Sequence, residues 1–302
     1  MRVSVVIPTY NCGPLVAEAV ASVLAQTRPA DEVVVVDDGS TDDTGDRVAA
    51  FGPPVRYVRK ENGGVATARN RGIAEAAGDL IAFLDADDVW HPRKLEVQLA
   101  AFAARPALGM LGTGVYDWPA AAHPPAEVAP PGDPVAVPLA ELVVRNPFTT
   151  STVVVRREVL LSVGEFDTDQ FGTEDHDLWL RIAQRAPVAN LAAKLAGYRA
   201  ATPGSLSKNA ARMEAGMRII LRKLDESGVF HGRPLLRRKA WAYFRYAAGY
   251  MHHRAGGRRA AAGHLTLSLL GYPFAYDRGC VRFPFGRVRL LAAALLRRGG
   301  AV

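Results

Sequence analysis

The chain has 302 residues, 49% of them apolar and 22% charged, with two cysteines and a net charge of +7. This composition excludes disordered, collagen-like and disulfide-rich chains, and it predicts a globular protein with a substantial core. Cys12 and Cys280 lie far apart in sequence, which favours a reducing, cytosolic setting. No apolar run reaches the ~20 residues of a membrane span, and Pro8 interrupts the N-terminus too early for a signal peptide. We therefore expect a cytoplasmic protein.

The charge is distributed unevenly along the chain. Residues 1–198 hold 17 basic and 26 acidic side chains, a net −9, whereas residues 199–302 hold 20 and 4, a net +16. The basic segment predicts either a solvated helical surface or contact with an anionic partner, for which we consider a membrane at the inner face. Nucleic acid is not expected as a partner, because no recognised binding motif accompanies the charge.

Strands and helices alternate over the first hundred residues. Apolar runs predict the strands, and amphipathic stretches between them predict the helices. In chain order the predicted elements are strand 3–8, helix 13–27, strand 33–36, a helix start over 41–50, strand 55–60, a helix ending near 78, strand 79–85 and helix 92–104. This order, with short turns, indicates an α/β fold with a mostly parallel sheet flanked by helices.

The remainder of the chain predicts a different organisation. The Pro- and Ala-rich segment 118–147 predicts a long loop. It is followed by predicted strand 151–155, helix 157–163, helix 173–186 and a strand over 188–200, and from about 208 the pattern is helical and basic. We predict two domains, 1–207 and a C-terminal helical appendage, 208–302.

Polar and acidic side chains recur where the predicted strands end. They are the segments Thr9-Tyr10-Asn11, Asp37-Asp38 and Asp85 to Asp88. Ligands bind at the carboxyl ends of the strands in open α/β sheets, so this recurrence predicts a site there. Carboxylates such as Asp85 and Asp87 suit Mg²⁺ or Mn²⁺, which complete their coordination with water and substrate phosphates. The alternative is an acidic turn that caps the next helix.

Further candidates lie on the turns around this edge. Asp38 could accept hydrogen bonds from ribose hydroxyls or a base, or cap a helix. The turn Asn62-Gly63-Gly64 offers backbone N–H groups, and Arg69 could reach a diphosphate or form a surface ion pair. Near the start of a later helix, Glu174 and Asp175 could supply a general base, although acids there are also favoured by the helix dipole.

An ordered set of motifs resembles the family 2 glycosyltransferases of GT-A (Rossmann-like) fold. The set covers residues 3 to about 185 and consists of "VSVVIPTYN", "VVVVDDGSTDDT", "ENGGVATARNRGI", "GDLIAFLDADDVW", "VGEFD" and "EDHDLWLRIA". The resemblance implies inverting transfer of a sugar from a nucleotide-diphosphate donor, most often UDP-linked, to a hydroxyl of a glycan or lipid-linked acceptor. It also implies a divalent metal and a role in cell-surface polysaccharide or glycolipid assembly.

The resemblance assigns roles to individual positions. Asp87 becomes the metal ligand, with Asp85 nearer the ribose, and Asp175 becomes the catalytic base. The nucleotide would be bound by Pro8, Thr9, Tyr10, Asn11, Asp38, Asn62, Gly63, Gly64 and Arg69. The sequence departs from the family at "ATPGSLS", where Thr202 stands in place of a frequent His. The resemblance therefore assigns no metal contact to this loop, and Ser205 and Ser207 could still bind the diphosphate.

Two other classes of protein remain open. "IAFLDADDV" also fits the nucleophile motif of a haloacid-dehalogenase-type phosphatase, which would form an aspartyl-phosphate at Asp85. That motif belongs on the first strand of its core, however, and here three predicted strands precede it. The non-enzymatic alternative is a glycan- or membrane-binding module with a degenerate site. The intact DxD motif, Asp85 to Asp87, and the intact pair Glu174-Asp175 argue against it.

Overall fold

The computed structural model describes residues 1–118, 132–199, 209–276 and 285–296. The chain divides into two compact units. The first, here called the sheet unit, comprises Met1–Leu139, Pro147–Thr168 and Asp175–Thr202. The second, the helical unit, comprises Ala140–Asn146, Asp169–Glu174 and Pro203–Val302. The boundary predicted at 207/208 lies next to these limits but outside the described residues, and it stays a prediction.

The described strands form one sheet. They are β1 Val3–Thr9, β2 Glu32–Asp37, β3 Val55–Arg59, β4 Leu80–Phe83, β5 Val89–Trp90, β6 Met110–Asp117, β7 Val135–Ala136, β8 Val154–Arg156 and β9 Val188–Tyr198. The sheet order is β3-β2-β1-β4-β8-β6-β9-β5, with β7 paired to β9. The β3-β2-β1-β4 half is parallel, while β8 joins β4 and β6 by antiparallel pairing. The predicted α/β fold, a large sheet flanked by helices, is confirmed.

The helices also follow the predicted order. They are α1 Gly13–Leu24, α2 Thr44–Ala49, α3 Val65–Glu75, α4 Lys94–Ala104, α5 Leu139–Leu142, α6 Arg157–Val163, α7 Glu174–Ala183, α8 Ala210–Glu226, α9 Pro234–Arg254, α10 Arg258–Gly271 and a last described helix, Gly286–Leu296. Within the described residues, none of these helices is long and apolar enough to cross a membrane.

The parallel strands are buried on both faces, which explains their continuous apolar runs. Alternate residues of β1 and β2, such as Ile7 and Val35, pack in one cluster with Val16 and Val20 of α1. The opposite face of β2 packs against Ala68 of α3. Because both faces are covered, only the ends of these strands remain for a polar site.

Several segments differ from the sequence predictions. The predicted strand 151–155 begins instead with a 3₁₀ turn, Thr150–Thr152, and β8 follows at Val154. The predicted loop 118–147 contains the short β7 and α5, with residues 119–131 outside the described part. Strand β6 has no counterpart among the sequence predictions, because Gly112 and Gly114 interrupt its apolar pattern and its pairing with β9.

The helical unit packs its aromatic side chains internally. Phe244 is buried, and its ring contacts that of Trp241 with centroids 5.7 Å apart. The rings of Tyr243 and Tyr246 lie 5.8 Å apart, and both contact Tyr276. These contacts show that the aromatic side chains of α9 pack within the helical unit.

Candidate active site

The carboxyl end of β2 places Asp38 at the centre of a polar network. Asp38 is 3% exposed, and its carboxylate accepts from Lys60 Nζ at 2.6 Å and from the backbone N–H groups of Gly63 and Gly64 at 3.0 and 2.7 Å. Gly64 has φ +91°, which favours glycine at this turn into α3. Asp38 thus joins the β2 end to the Asn62–Gly64 turn predicted from the sequence.

A second turn follows β1 and is tied to the same edge. Asn11 has φ 47°, and its side-chain oxygen accepts from the Thr41 backbone N–H at 2.8 Å. Its own backbone N–H donates to Ser40 Oγ at 2.8 Å. Asn11 therefore connects the end of β1 with the segment that follows β2.

The remaining candidates at the end of β1 differ in exposure. Pro8 is buried in β1, whereas the Tyr10 ring is 51% exposed. Thr9 is 4% exposed, and its hydroxyl is buried without a hydrogen-bond partner in the described part of the chain. An unmet buried hydroxyl is costly unless a ligand or water satisfies it, so Thr9 Oγ1 is a group that a ligand at this edge could satisfy.

Arg69 of α3 reaches the turn after β4. Its Nη2 donates to Asp85 Oδ1 at 2.7 Å, and its guanidinium lies 5.3 Å from the Phe166 ring centroid. Arg69 is only 4% exposed, so this charge-assisted bond is formed with little access to solvent. In this structure Arg69 orients Asp85; the predicted contact with a diphosphate stays a prediction.

The third aspartate of the turn, Asp88, has a different environment from the other two. It is 1% exposed, accepts from Ser151 Oγ at 2.6 Å and accepts from the Arg199 backbone N–H at 2.9 Å. Burial, followed by the charge of Asp85, raises the pKa of Asp88 to about 7. Asp88 therefore anchors the turn, and Asp85 and Asp87 are the half-buried carboxylates that remain near the surface.

Asp87 lies beside the start of α1. Burial, followed by the charges of Asp87 and Asp42, raises the pKa of the Cys12 thiol to about 11. The backbone carbonyl of Asp87 accepts from Arg199 Nε at 2.9 Å, and Arg199 also pairs with Glu18 of α1 at 2.7 Å. These contacts hold the acidic turn against α1.

The 3₁₀ turn links the acidic turn to the predicted base. Ser151 Oγ also accepts from the Asp85 backbone N–H at 3.1 Å, while the neighbouring Thr150 Oγ1 donates to Asp175 Oδ2 at 3.3 Å. The other oxygen of Asp175 accepts from the His176 backbone N–H at 2.6 Å. Asp175 is half-buried and Glu174 is 6% exposed, so Asp175 is the more accessible acid of the pair.

The residues present fit a divalent metal of the magnesium type. Asp85 and Asp87 supply hard carboxylate oxygens from one turn, and one or two carboxylates suffice for Mg²⁺ when a substrate supplies phosphate oxygens. Asp88 is excluded from this set because Ser151 and Arg199 occupy its buried oxygens. Thr202, Ser205 and Ser207 lie outside the described residues.

Sequence reasoning did not find several residues of this edge. Lys60, Ser151 and Arg199 reach the site from positions that carry no motif, and they were not among the predicted site residues. The run of hydroxyl residues Thr149 to Thr152 ahead of an apolar strand was a usable signal for Ser151. No sequence signal marked Lys60 or Arg199, because their partners Asp38 and Asp87 lie 22 and 112 residues away.

Solved structures share this architecture. The chain superposes on Staphylococcus aureus TarS 1-349 with TM-score 0.59 and 19% identity, covering 92% of this chain and 93% of that one. A mannosyltransferase from Pyrobaculum calidifontis, solved with GDP-Man and Mn²⁺, gives TM-score 0.60 and 24% identity, covering 97% and 86%. At these identities the similarity defines the fold, which is that of the GT-A glycosyltransferases.

The N-terminal part of the chain is similar in sequence to known glycosyltransferases. Residues 4–120 match the family described as Glycosyl transferase family 2. An uncharacterised glycosyltransferase of Rickettsia felis is 46% identical over 100 residues, and the proposed teichuronic acid biosynthesis glycosyltransferase TuaG of Bacillus subtilis is 42% identical over 101. Each alignment covers 32% of this chain, and 17% and 40% of the respective relatives.

Proposed function

We propose that the chain is a metal-dependent, inverting glycosyltransferase that moves a sugar from a nucleotide-diphosphate donor to a hydroxyl acceptor. The observation that carries the proposal is the shared placement of Asp38, Asp85 and Asp87 at the ends of β2 and β4, with Asp175 connected to the same turn through Thr150 and Ser151. This set supplies polar groups for a nucleoside, ligands for a metal and one base.

Each proposed role follows from the contacts. Asp38 and the Gly63–Gly64 turn form a preorganised edge for the nucleoside, beside the unmet hydroxyl of Thr9 and the exposed ring of Tyr10. Asp87, with Asp85, would hold Mg²⁺ or Mn²⁺. When bound, such an ion neutralises charge that develops on the leaving diphosphate.

Asp175 supplies the proposed general base. An ionised carboxylate can take the proton of an acceptor hydroxyl as its oxygen attacks the anomeric carbon. Attack on the face opposite the leaving nucleotide diphosphate inverts the anomeric configuration, by the same reasoning that applies to inverting hydrolases. Thr150 and the His176 backbone N–H each bind one oxygen of Asp175 and so orient it.

We propose a UDP-linked donor and an acceptor in cell-surface polysaccharide or glycolipid assembly. A TarS structure contains UDP-GlcNAc, the Pyrobaculum protein contains GDP-Man with Mn²⁺, and TuaG is assigned to teichuronic acid biosynthesis. These are properties of the relatives, so GDP and dTDP donors belong in the test. We further propose a cytoplasmic protein that is peripheral at the inner face of the membrane through its basic helical unit.

The test is nucleotide release from a panel of UDP-, GDP- and dTDP-sugars, with and without Mg²⁺ or Mn²⁺. We expect metal-dependent turnover of one donor class in the wild type and its loss, by about a hundredfold or more, in Asp87→Ala. Asp133→Ala, which removes a carboxylate that is 94% exposed, is the matched control and should keep wild-type turnover. Calorimetry separates a missing acceptor, where donor still binds, from a degenerate site, where no donor binds and the proposal fails.

A further inference from the structure

Three side chains from three helices converge in the helical unit. Glu214 lies on α8, His252 on α9 and His264 on α10, and all three side chains are between 12% and 18% exposed. His252 Nε2 lies 2.8 Å from Glu214 Oε2, and His264 Nε2 lies 3.3 Å from the same oxygen. One ligand atom from each residue lies within 4.8 Å of the others.

The geometry brings both imidazoles to one point. The two rings are stacked, with centroids 5.6 Å apart and an interplanar angle of 12°, and both present Nε2 to the same carboxylate oxygen. Two imidazole nitrogens and one carboxylate oxygen form a ligand set that binds Zn²⁺, with a fourth position left for water. This set differs from the all-oxygen Asp85–Asp87 turn, which suits harder cations.

The protonation states also suit metal binding, which requires neutral imidazole and ionised carboxylate. Burial lowers the pKa of His264, so its imidazole is neutral at neutral pH. Burial acts to raise the pKa of Glu214, but hydrogen bonds from His252 and Arg218 lower the pKa below its usual value. A bound ion would replace the His252 hydrogen bond and leave the Arg218 bond in place. Arg218 Nη2 donates to Oε1 at 2.6 Å, which fixes the carboxylate and leaves Oε2 facing the imidazoles.

We propose that Glu214, His252 and His264 form a transition-metal site, with Zn²⁺ as the ion that fits, and that the bound ion joins α8, α9 and α10. The site is independent of the proposed sugar transfer. Its role follows from its position: an ion bound by one residue from each of three helices stabilises their packing, because the unfolded chain does not hold the three ligands together.

Arg245 is the group that opposes the ion. Its Nη1 lies 3.4 Å from His264 Nδ1, and a guanidinium can only donate. An imidazole that binds metal through Nε2 carries its proton on Nδ1, so Arg245 must turn away when the ion binds. The side chain also lines an open groove of about 500 Å³ with Arg238, Trp241 and Leu267, which gives it room to move.

The test is titration of the EDTA-stripped full chain with Zn²⁺, and with Co²⁺ as a visible-absorption probe. We expect one tightly bound ion per chain with the spectrum of a low-coordinate nitrogen-oxygen site and a higher melting temperature. Asp87→Ala should keep this ion, which separates the site from the proposed donor site. His231→Gln, at an exposed histidine outside the cluster, should keep it too.

Two further comparisons distinguish a metal site from a hydrogen-bonded cluster. His252→Gln and His264→Gln should lose the ion while keeping the metal-free melting temperature near that of wild type. Arg245→Gln should tighten binding by about tenfold, because it removes a positive charge and supplies an acceptor for His264 Nδ1–H. The proposal would be overturned if the wild type gave no Co²⁺ spectrum, or if either histidine variant bound the ion as tightly as the wild type. Weaker binding in Arg245→Gln than in the wild type would overturn it as well.

Discussion

Three neighbouring aspartates acquire three different roles from their surroundings. Asp85 is paired with the buried Arg69, Asp87 lies half-buried beside α1, and Asp88 is enclosed by Ser151 and Arg199. The sequence places all three at the end of a strand but cannot separate them, because the separating contacts come from positions between 16 and 112 residues away.

Asp88 should make stability depend on pH. Its folded pKa of about 7 lies above the ordinary carboxyl value, so between about pH 4 and 7 the folded state holds a proton that the unfolded chain has lost. Stability therefore falls as pH rises through this window, by at most about 1.4 kcal/mol per pH unit. Asp88→Asn, which cannot ionise, should lose this contribution.

Urea unfolding in EDTA, for wild type and Asp88→Asn across this window, measures the effect. Other titrating groups contribute alike to both proteins, so the difference between their unfolding free energies isolates Asp88. The unfolding free energy of Asp88→Asn should therefore increase relative to that of the wild type as pH rises. A pH-independent difference would show that Asp88 ionises normally in the folded protein.

Helix α3 depends on one close approach to the sheet. A Cβ atom built on Gly72 would collide with Val6 Cγ1 of β1, so this glycine sets how near α3 lies to β1. The same helix carries Arg69, which holds Asp85. Gly72→Ala should therefore destabilise the protein by about 1–3 kcal/mol through overpacking and should also weaken donor turnover by displacing Arg69.

Gly263→Ala is the matched change for this prediction. Gly263 lies within α10, and nothing stands within 4 Å of a Cβ built there. The substitution should stabilise the protein by about 0.5–1 kcal/mol through helix propensity alone. Thermal unfolding of both variants measures the two changes in stability. If Gly72→Ala and Gly263→Ala changed the unfolding free energy by the same amount, the close approach of Gly72 to Val6 would not limit packing.

Elements with a regular pattern were predictable, and those without one were not. Strands β1 to β4 and helices α1 to α4 follow from apolar periodicity, and their order alone places the polar strand ends on one edge. Strand β6 was missed because two glycines interrupt it, and part of the 3₁₀ turn was taken for strand because the apolar run Val153–Val155 follows it directly. The Glu214–His252–His264 cluster was not predicted, since its members are 38 and 12 residues apart on separate helices.

The two ends of the chain differ in charge and in the side chains they expose. Residues 199–302 carry a net charge of +16. The helical unit also exposes large apolar side chains: Leu235, Leu267, Leu270, Phe274, Phe285, Leu295 and Leu296. Basic charge with exposed apolar groups suits an anionic membrane surface. The full chain should therefore sediment with anionic vesicles at low salt, and salt should release it, because exposed charges are screened.

Neutral vesicles of phosphatidylcholine are the control for this prediction. They should retain little protein, since the apolar groups alone lack the electrostatic attraction. Failure to bind anionic vesicles at low salt would contradict a peripheral membrane location and would leave the proposed sugar transfer untouched.

The most direct measurement for the central claim compares Asp175→Asn with wild type on the donor that the panel identifies. The substitution keeps the shape of the side chain but removes its ability to take a proton. We expect donor affinity to stay near that of wild type while turnover with acceptor falls by about 10²–10⁴-fold. His176→Gln, at the neighbouring position, should keep turnover. Wild-type turnover in Asp175→Asn would contradict its role as the base, and with it the proposed mechanism.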